Sequence, residues 1–225
     1  MSKSINITLD GPGGSGKTTI AKAIAKDLNY IYVDTGGMYR GVAWFIDSRD
    51  IDATDEQGVL GVLPELSLDI KVVDGEQHVF VNGQDVSGQI RTPKMSQCAS
   101  IISTYKDVRL KLVSMQREIA RSVNSVFDGR DMGSYVLPFA EYKFYLTADI
   151  DERAKRRYLE LKDKGQDVSL GDVKQDMIER DERDSSRAFA PLVIPTGAFV
   201  IDTTNLTIEE VKNIILNKIG KLNKD

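Results

Sequence analysis

Short apolar runs rich in β-branched residues recur along the chain at Ile5 to Leu9, Tyr30 to Val33, Ser125 to Phe127, Lys143 to Leu146 and Phe199 to Ile201. Each is too short for a helix and long enough for a buried strand. Between them the apolar positions change to helical spacing. Lys17 to Leu28 carries Ile20, Ile24 and Leu28; Val108 to Val123 carries Leu112, Met115 and Ile119; Thr207 to Ile219 carries Ile208, Val211, Ile215 and Ile219. Such spacing gathers the apolar side chains on one helix face. Strands alternating with amphipathic helices predict an α/β fold, a parallel five-stranded sheet flanked by helices.

One stretch departs from this rhythm. From Leu66 to Val86, alternating runs are separated by Asp74-Gly75 and Asn82-Gly83, the dipeptides of tight antiparallel hairpins. They predict a small antiparallel β insert at 64–91, leaving 1–63 and 92–225 as the core. The polar tail Lys221 to Asp225 is expected to fray.

The 225 residues suit one large domain, or one with an insert. Lys and Arg number 30 against 34 Asp and Glu, a formal charge of −4. That balance gives no basic field for a nucleic-acid polymer, so basic chemistry has to be local. A single histidine (His78) and a single cysteine (Cys98) argue against a zinc site, a Ser-His-Asp triad and an internal disulfide. His78 is expected on the surface of the insert and Cys98 on a buried helix face. No run reaches the roughly 18 apolar residues needed to span a bilayer. The expectation is a soluble, cytoplasmic protein without a membrane partner, and monomeric, since no heptad stripe calls for a second chain.

The chemistry begins at Gly11-Pro12-Gly13-Gly14-Ser15-Gly16-Lys17-Thr18, a full match to G-x-x-x-x-G-K-[ST] between a predicted strand and a predicted helix. Backbone N–H groups and the helix N-terminus favour an anion there. Lys17 reaches the β- and γ-phosphates and the Thr18 hydroxyl ligates Mg²⁺, with Thr19 following in the same turn. This predicts a P-loop NTPase fold, and three classes then compete: a small-molecule kinase, a GTPase-like switch, and an ATPase motor or binding module. Asn217-Lys218 and Asn223-Lys224 lack the Asp that guanine recognition needs, and Asp34-Thr35-Gly36-Gly37 is only a weak switch pattern. The arginines favour a kinase. Phosphoryl transfer needs two substrates held in line and the migrating charge neutralised, and Arg supplies bidentate phosphate contacts. Arg49 and Arg121 read instead as surface ion-pair residues.

Val33-Asp34-Thr35-Gly36-Gly37-Met38-Tyr39-Arg40 resembles the acceptor-site motif of bacterial-type cytidylate kinases, the CMP/dCMP branch of the nucleoside monophosphate kinases. Asn82 to Val86 with Ile90-Arg91, Ser100, Val108-Arg109, Asp128-Gly129-Arg130-Asp131-Met132-Gly133, Glu179 to Arg187 and Ala190-Pro191-Leu192 agree with the same family in order. The resemblance covers about Ile5 to Ile219. It implies ATP-dependent phosphorylation of CMP and dCMP, with ATP and Mg²⁺ on Gly11 to Thr19 and Thr18 on the metal. Thr35, Arg40, Ser100, Arg109, Arg130, Asp131, Arg180, Asp184 and Arg187 are the implied acceptor ligands. Arg40 and Arg130 would hold the α-phosphate, Arg180 would add charge near the transferred group, and Ser100, Arg109, Asp131 and Arg187 would read cytosine. Asp184 matches the ribose ligand; its alternative is a salt bridge with Arg180 or Arg187. A short lid at about 151–168 carries Arg153, Arg156 and Arg157, and Arg157 joins Lys17, Arg130 and Arg180 as the implied catalytic set. The 64–91 insert would belong to the CMP-binding domain. A kinase of UMP, AMP or shikimate, or a nucleotide-binding module without turnover, remain the alternatives. Gly37 departs from the Ala that the family often has, while Thr35 keeps its hydroxyl.

Overall fold

The computed structural model describes residues 4–73 and 75–222. Asp74 of the first expected turn and residues 223–225 of the tail expected to fray lie outside the described residues. In chain order the elements are β1 (Asn6–Asp10), α1 (Lys17–Leu28), β2 (Ile31–Asp34), α2 (Thr35–Asp47), α3 (Glu56–Val62), β3 (Leu68–Val73), β4 (Glu76–Val81), β5 (Gln84–Asp85), α4 (Pro93–Ile102), α5 (Lys106–Ser122), β6 (Ser125–Asp128), β7 (Tyr142–Thr147), α6 (Ile150–Asp163), α7 (Leu170–Ser186), β8 (Phe199–Asp202) and α8 (Ile208–Leu222). The chain forms two compact units, Met1–Tyr32 with Ala120–Asp225, and Val33–Ile119.

The first unit is built on the expected parallel sheet, of strand order β2-β6-β1-β7-β8. β1 pairs in parallel with β6 and β7, and β7 with β8. All four residues of β6 are buried, as a central parallel strand covered on both faces requires. Ile20 and Ile24 of α1 and Val211, Ile215 and Ile219 of α8 share one core with Ile7, Leu9, Val126, Phe144, Leu146 and Ile201. α1 starts after Gly16 at φ 88° and stops at Asn29, whose left-handed φ of 53° closes the helix with N–H bonds to the Ala25 and Lys26 carbonyls.

The second unit holds the three-stranded antiparallel sheet β3-β4-β5, registered from Leu68 opposite Val81 to Val73 opposite Glu76. Its inward residues Leu68, Val79 and Val81 pack with Met38, Val42 and Phe45 of α2. A Cβ at Gly41 would lie 2.8 Å from Val79 Cγ1 and 2.9 Å from Leu68 Cδ1, so the helix meets the sheet through a glycine. Thr92 accepts from the Met95 N–H and Pro93 occupies the first turn, which starts α4. Cys98 is half-buried against this core. His78 is likewise only half exposed and pairs with Asp85 at 2.7 Å.

Candidate active site

The P-loop leaves β1 at a residue that must be glycine. Gly11 has φ 141° and an added Cβ would sit 1.9 Å from the Leu146 carbonyl oxygen. Lys17 is buried, and its Nζ donates to the Pro12 carbonyl at 2.6 Å and to Ser15 Oγ at 3.2 Å. Burial, followed by the Arg130 charge, pulls its pKa down to about 7. Thr18 Oγ1 donates to Asp128 Oδ2 at 2.5 Å, and Tyr32 approaches the same oxygen at 3.4 Å.

Asp128 ends β6, the neighbour of β1, where P-loop proteins carry the carboxylate that backs the metal-binding hydroxyl. Among the described residues no group of three or more His, Cys, Asp and Glu could hold a metal. A hydroxyl backed by one carboxylate fits Mg²⁺, which keeps waters and takes substrate phosphate oxygens for the rest of its shell. Sequence reasoning did not single out Asp128, because a carboxylate at a strand end looks like a turn residue until its partner is known.

The P-loop carbonyls are braced from outside. Arg153 donates through Nη1 to the Gly13 carbonyl at 3.1 Å and to Asp181 Oδ2 at 2.6 Å, and through Nε to the Ala148 carbonyl at 2.9 Å. Thr203 Oγ1 donates to the Ser15 carbonyl at 3.1 Å, and Arg156 holds the Thr203 carbonyl at 2.7 Å. Arg153, one of the three arginines that the sequence places in the lid, is therefore a buried strut. Arg157 lies partly exposed on α6 and pairs with Glu160 at 2.7 Å.

Asp10 fixes the segment after β6. Its carboxylate is fully buried and accepts from the Met132 and Gly133 N–H groups, both at 2.7 Å. Burial raises its pKa to about 7 against the opposing pull of those two donors. The following residues, Met132–Val136, form a π-helical turn in which Tyr135 and Val136 donate to the Asp131 carbonyl. This pins the main chain around Arg130 and Asp131. Arg130 Nε bonds Asp184 Oδ2 at 3.0 Å, and a Cβ placed on Gly13 would lie 3.8 Å from Arg130 Nη2. Arg187 spans Asp131 and Asp184 at 3.6 Å each, and Arg180 approaches Asp184 at 3.9 Å. Burial would raise the Asp184 pKa, but Arg130, Arg180 and Arg187 outweigh it and hold the carboxyl below its ordinary range. Burial would lower Arg130, and Asp184 and Asp128 more than offset that. The first unit thus gathers Lys17, Arg130, Asp131, Arg180, Asp184 and Arg187, and Asp184 makes the salt bridges left open as its alternative.

The second unit holds the remaining residues singled out from the sequence. Asp34 caps α2 by accepting from the Gly37 N–H at 2.8 Å, and its other oxygen takes Arg40 Nη2 at 2.7 Å. Thr35, Ser100 and Arg109 are all buried. Arg109 donates to the Ser103 carbonyl at 3.0 Å, with its guanidinium 5.6 Å from the Tyr39 ring centre.

A family model described as Cytidylate kinase matches residues 7–221. The cytidylate kinase of Caldicellulosiruptor bescii is 46% identical over 223 residues, 99% of each chain. That of Lactobacillus johnsonii is 43% identical over 98% of this chain and 96% of its own. An uncharacterised protein from Eubacterium ventriosum shares the fold, with a TM-score of 0.55, 15% identity, and coverage of 96% of this chain and 99% of that one. Agreement over almost the whole length, from the P-loop to the last helix, means that the chain belongs to the cytidylate kinase family.

Proposed function

We propose that the protein transfers the γ-phosphoryl group of ATP to CMP and dCMP. The observation that carries this reading is the cluster beside the P-loop, in which Arg130, Arg180 and Arg187 converge on Asp184 while Arg187 also reaches Asp131. Guanidinium groups in that density suit a second phosphate-bearing substrate. The attacking atom would be an oxygen of the CMP phosphate, already anionic, so no general base is required and the chain's one histidine has no part in the step.

On this reading Lys17 exchanges its contact with the Pro12 carbonyl for the β- and γ-phosphates. Thr18, backed by Asp128, would hold Mg²⁺, which supplies charge neutralisation at those phosphates. Arg130, Arg180 and Arg157 of a lid at about 151–168 add positive charge at the transferred group. Acceptor recognition is assigned to Thr35, Arg40, Ser100, Arg109, Arg130, Asp131, Arg180, Asp184 and Arg187, with the 64–91 insert serving CMP binding. Cytosine offers an N4 amine for Asp131 or Ser100 to accept from, and O2 and N3 acceptors for arginine donors. Uracil reverses O4 and N3–H and would leave buried groups unpaired, which is a strong basis for discrimination.

A coupled ADP-release assay across CMP, dCMP, UMP, AMP, GMP and shikimate tests the reading. CMP and dCMP should be turned over in preference to the rest. Preferential turnover of a non-cytidine acceptor would overturn it.

A further inference from the structure

Gln77 of β4 bonds the backbone of Asp34 at both ends of its amide: its Oε1 accepts from the Asp34 N–H at 2.8 Å and its Nε2 donates to the Asp34 carbonyl at 3.0 Å. The amide orientation follows from its partners, since only this one matches a donor to an acceptor at both ends. A primary amide paired this way does for Asp34 what a neighbouring strand's peptide would do. Asp34 in turn spends both carboxylate oxygens on α2, one on the Gly37 N–H and one on Arg40 Nη2. Arg40 Nε is buried and has no hydrogen-bond partner among the described residues, so the guanidinium is held by Asp34 on one edge with a donor still to satisfy. Gly37 closes the set: a Cβ there would lie 3.0 Å from Asp34 Oδ2 and 3.3 Å from Gln77 Nε2.

We infer that Gln77 is a positioning residue for acceptor-phosphate recognition, fixing the Asp34 backbone and through it the carboxylate that aims Arg40. The antiparallel sheet then contributes to the reaction through one side chain as well as through its packing on α2. This inference rests on the reading of Arg40 as a ligand of the CMP phosphate.

Two variants separate positioning from packing. Gln77→Glu keeps an acceptor for the Asp34 N–H but sets a carboxylate against the Asp34 carbonyl, and Gln77→Met keeps the length with neither polar group. Affinities for CMP and for cytidine, which lacks the phosphate, are measured by titration calorimetry, and KM for ATP by the coupled assay. Both variants should weaken CMP by about five- to tenfold, the loss of one or two hydrogen bonds. Cytidine affinity and KM for ATP should stay within about twofold, and in an Arg40→Ala background the Gln77→Met change should no longer affect CMP. Equal losses for CMP and cytidine, or fully additive effects of the two substitutions, would overturn the inference and leave Gln77 a packing residue. An Arg40→Ala protein that binds CMP as tightly as the wild type would instead remove the parent reading of Arg40, and the role of Gln77 with it.

Discussion

Thr18 Oγ1 and Asp128 Oδ2 share a 2.5 Å hydrogen bond, joining the P-loop hydroxyl to a carboxylate 110 residues away. The pair places a negative charge directly behind the oxygen expected to meet Mg²⁺. Asp128→Asn keeps an acceptor for the hydroxyl but removes that charge. The Mg²⁺ concentration for half-maximal rate should rise by about 10- to 100-fold, the usual penalty for losing a group behind a metal ligand. KM for CMP should not move. A titration of rate against Mg²⁺ that superimposes on the wild type would refute the role.

Lys17 should take up a proton when ATP binds. Burial and the Arg130 charge hold its pKa at about 7 in the ligand-free protein, so at pH 8 it is mostly neutral. A bound triphosphate favours the ammonium form and raises the pKa again. Calorimetry at pH 8 in buffers of different ionisation enthalpy should show proton uptake approaching one equivalent per ATP in the wild type, falling towards zero in Lys17→Met. Equal uptake by the two proteins would contradict this protonation change.

Asp184 should stabilise the fold through its arginine partners. Asp184→Asn leaves the part-buried Arg130 and the buried Arg187 without their shared counter-charge, a loss of about 3 kcal/mol at pH 7. Arg130, Arg180 and Arg187 depress the folded-state pKa below the ordinary 3.8. The carboxylate's contribution is therefore complete above that value and is lost as pH falls through the lower folded pKa. Urea unfolding should show the gap between variant and wild type narrowing in acid. A gap independent of pH would mean that the charge is not what Asp184 contributes.

The α6 arginines should divide by role. Arg153→Met releases the Gly13 carbonyl and breaks the pair with Asp181, so it should cost about 2–3 kcal/mol of stability and raise KM for ATP. Arg157→Ala removes only a partly exposed pair with Glu160, with an effect on stability below about 1 kcal/mol, and should act instead on kcat. Equal stability losses in urea for the two variants would contradict the division.

The strands and the helices α1, α5 and α8 were legible because their apolar residues repeat at the period of the element they form. The P-loop was legible because its glycines, lysine and threonine are consecutive. α2 was harder to delimit, since Thr35-Gly36-Gly37 carries turn residues; the helix begins there because the Asp34 carboxylate caps the Gly37 N–H. The roles of Asp10 and Asp128 were hidden because their partners, Met132 and Thr18, stand 122 and 110 residues away. The burial that makes Arg153 a strut was equally invisible, since its spacing on α6 matches that of an arginine facing solvent. Asp184 shows the intermediate case. Its motif and its local partners Arg180 and Arg187 were evident, but Arg130 joins them only when α7 packs beside the segment after β6.

The way Asp10 and the π-helical turn hold the main chain on either side of Asp131 bears on how such an enzyme could diverge. The shape of that loop is set by a carboxylate 121 positions earlier in the chain and by bonds to the Asp131 carbonyl, so it does not depend on which side chain position 131 carries. With Asp131 in its proposed base-reading role, acceptor preference could therefore drift by exchange at this position without remodelling the loop. The ion pair with Arg187 couples the two positions, so relatives with altered base preference should change 131 and 187 together.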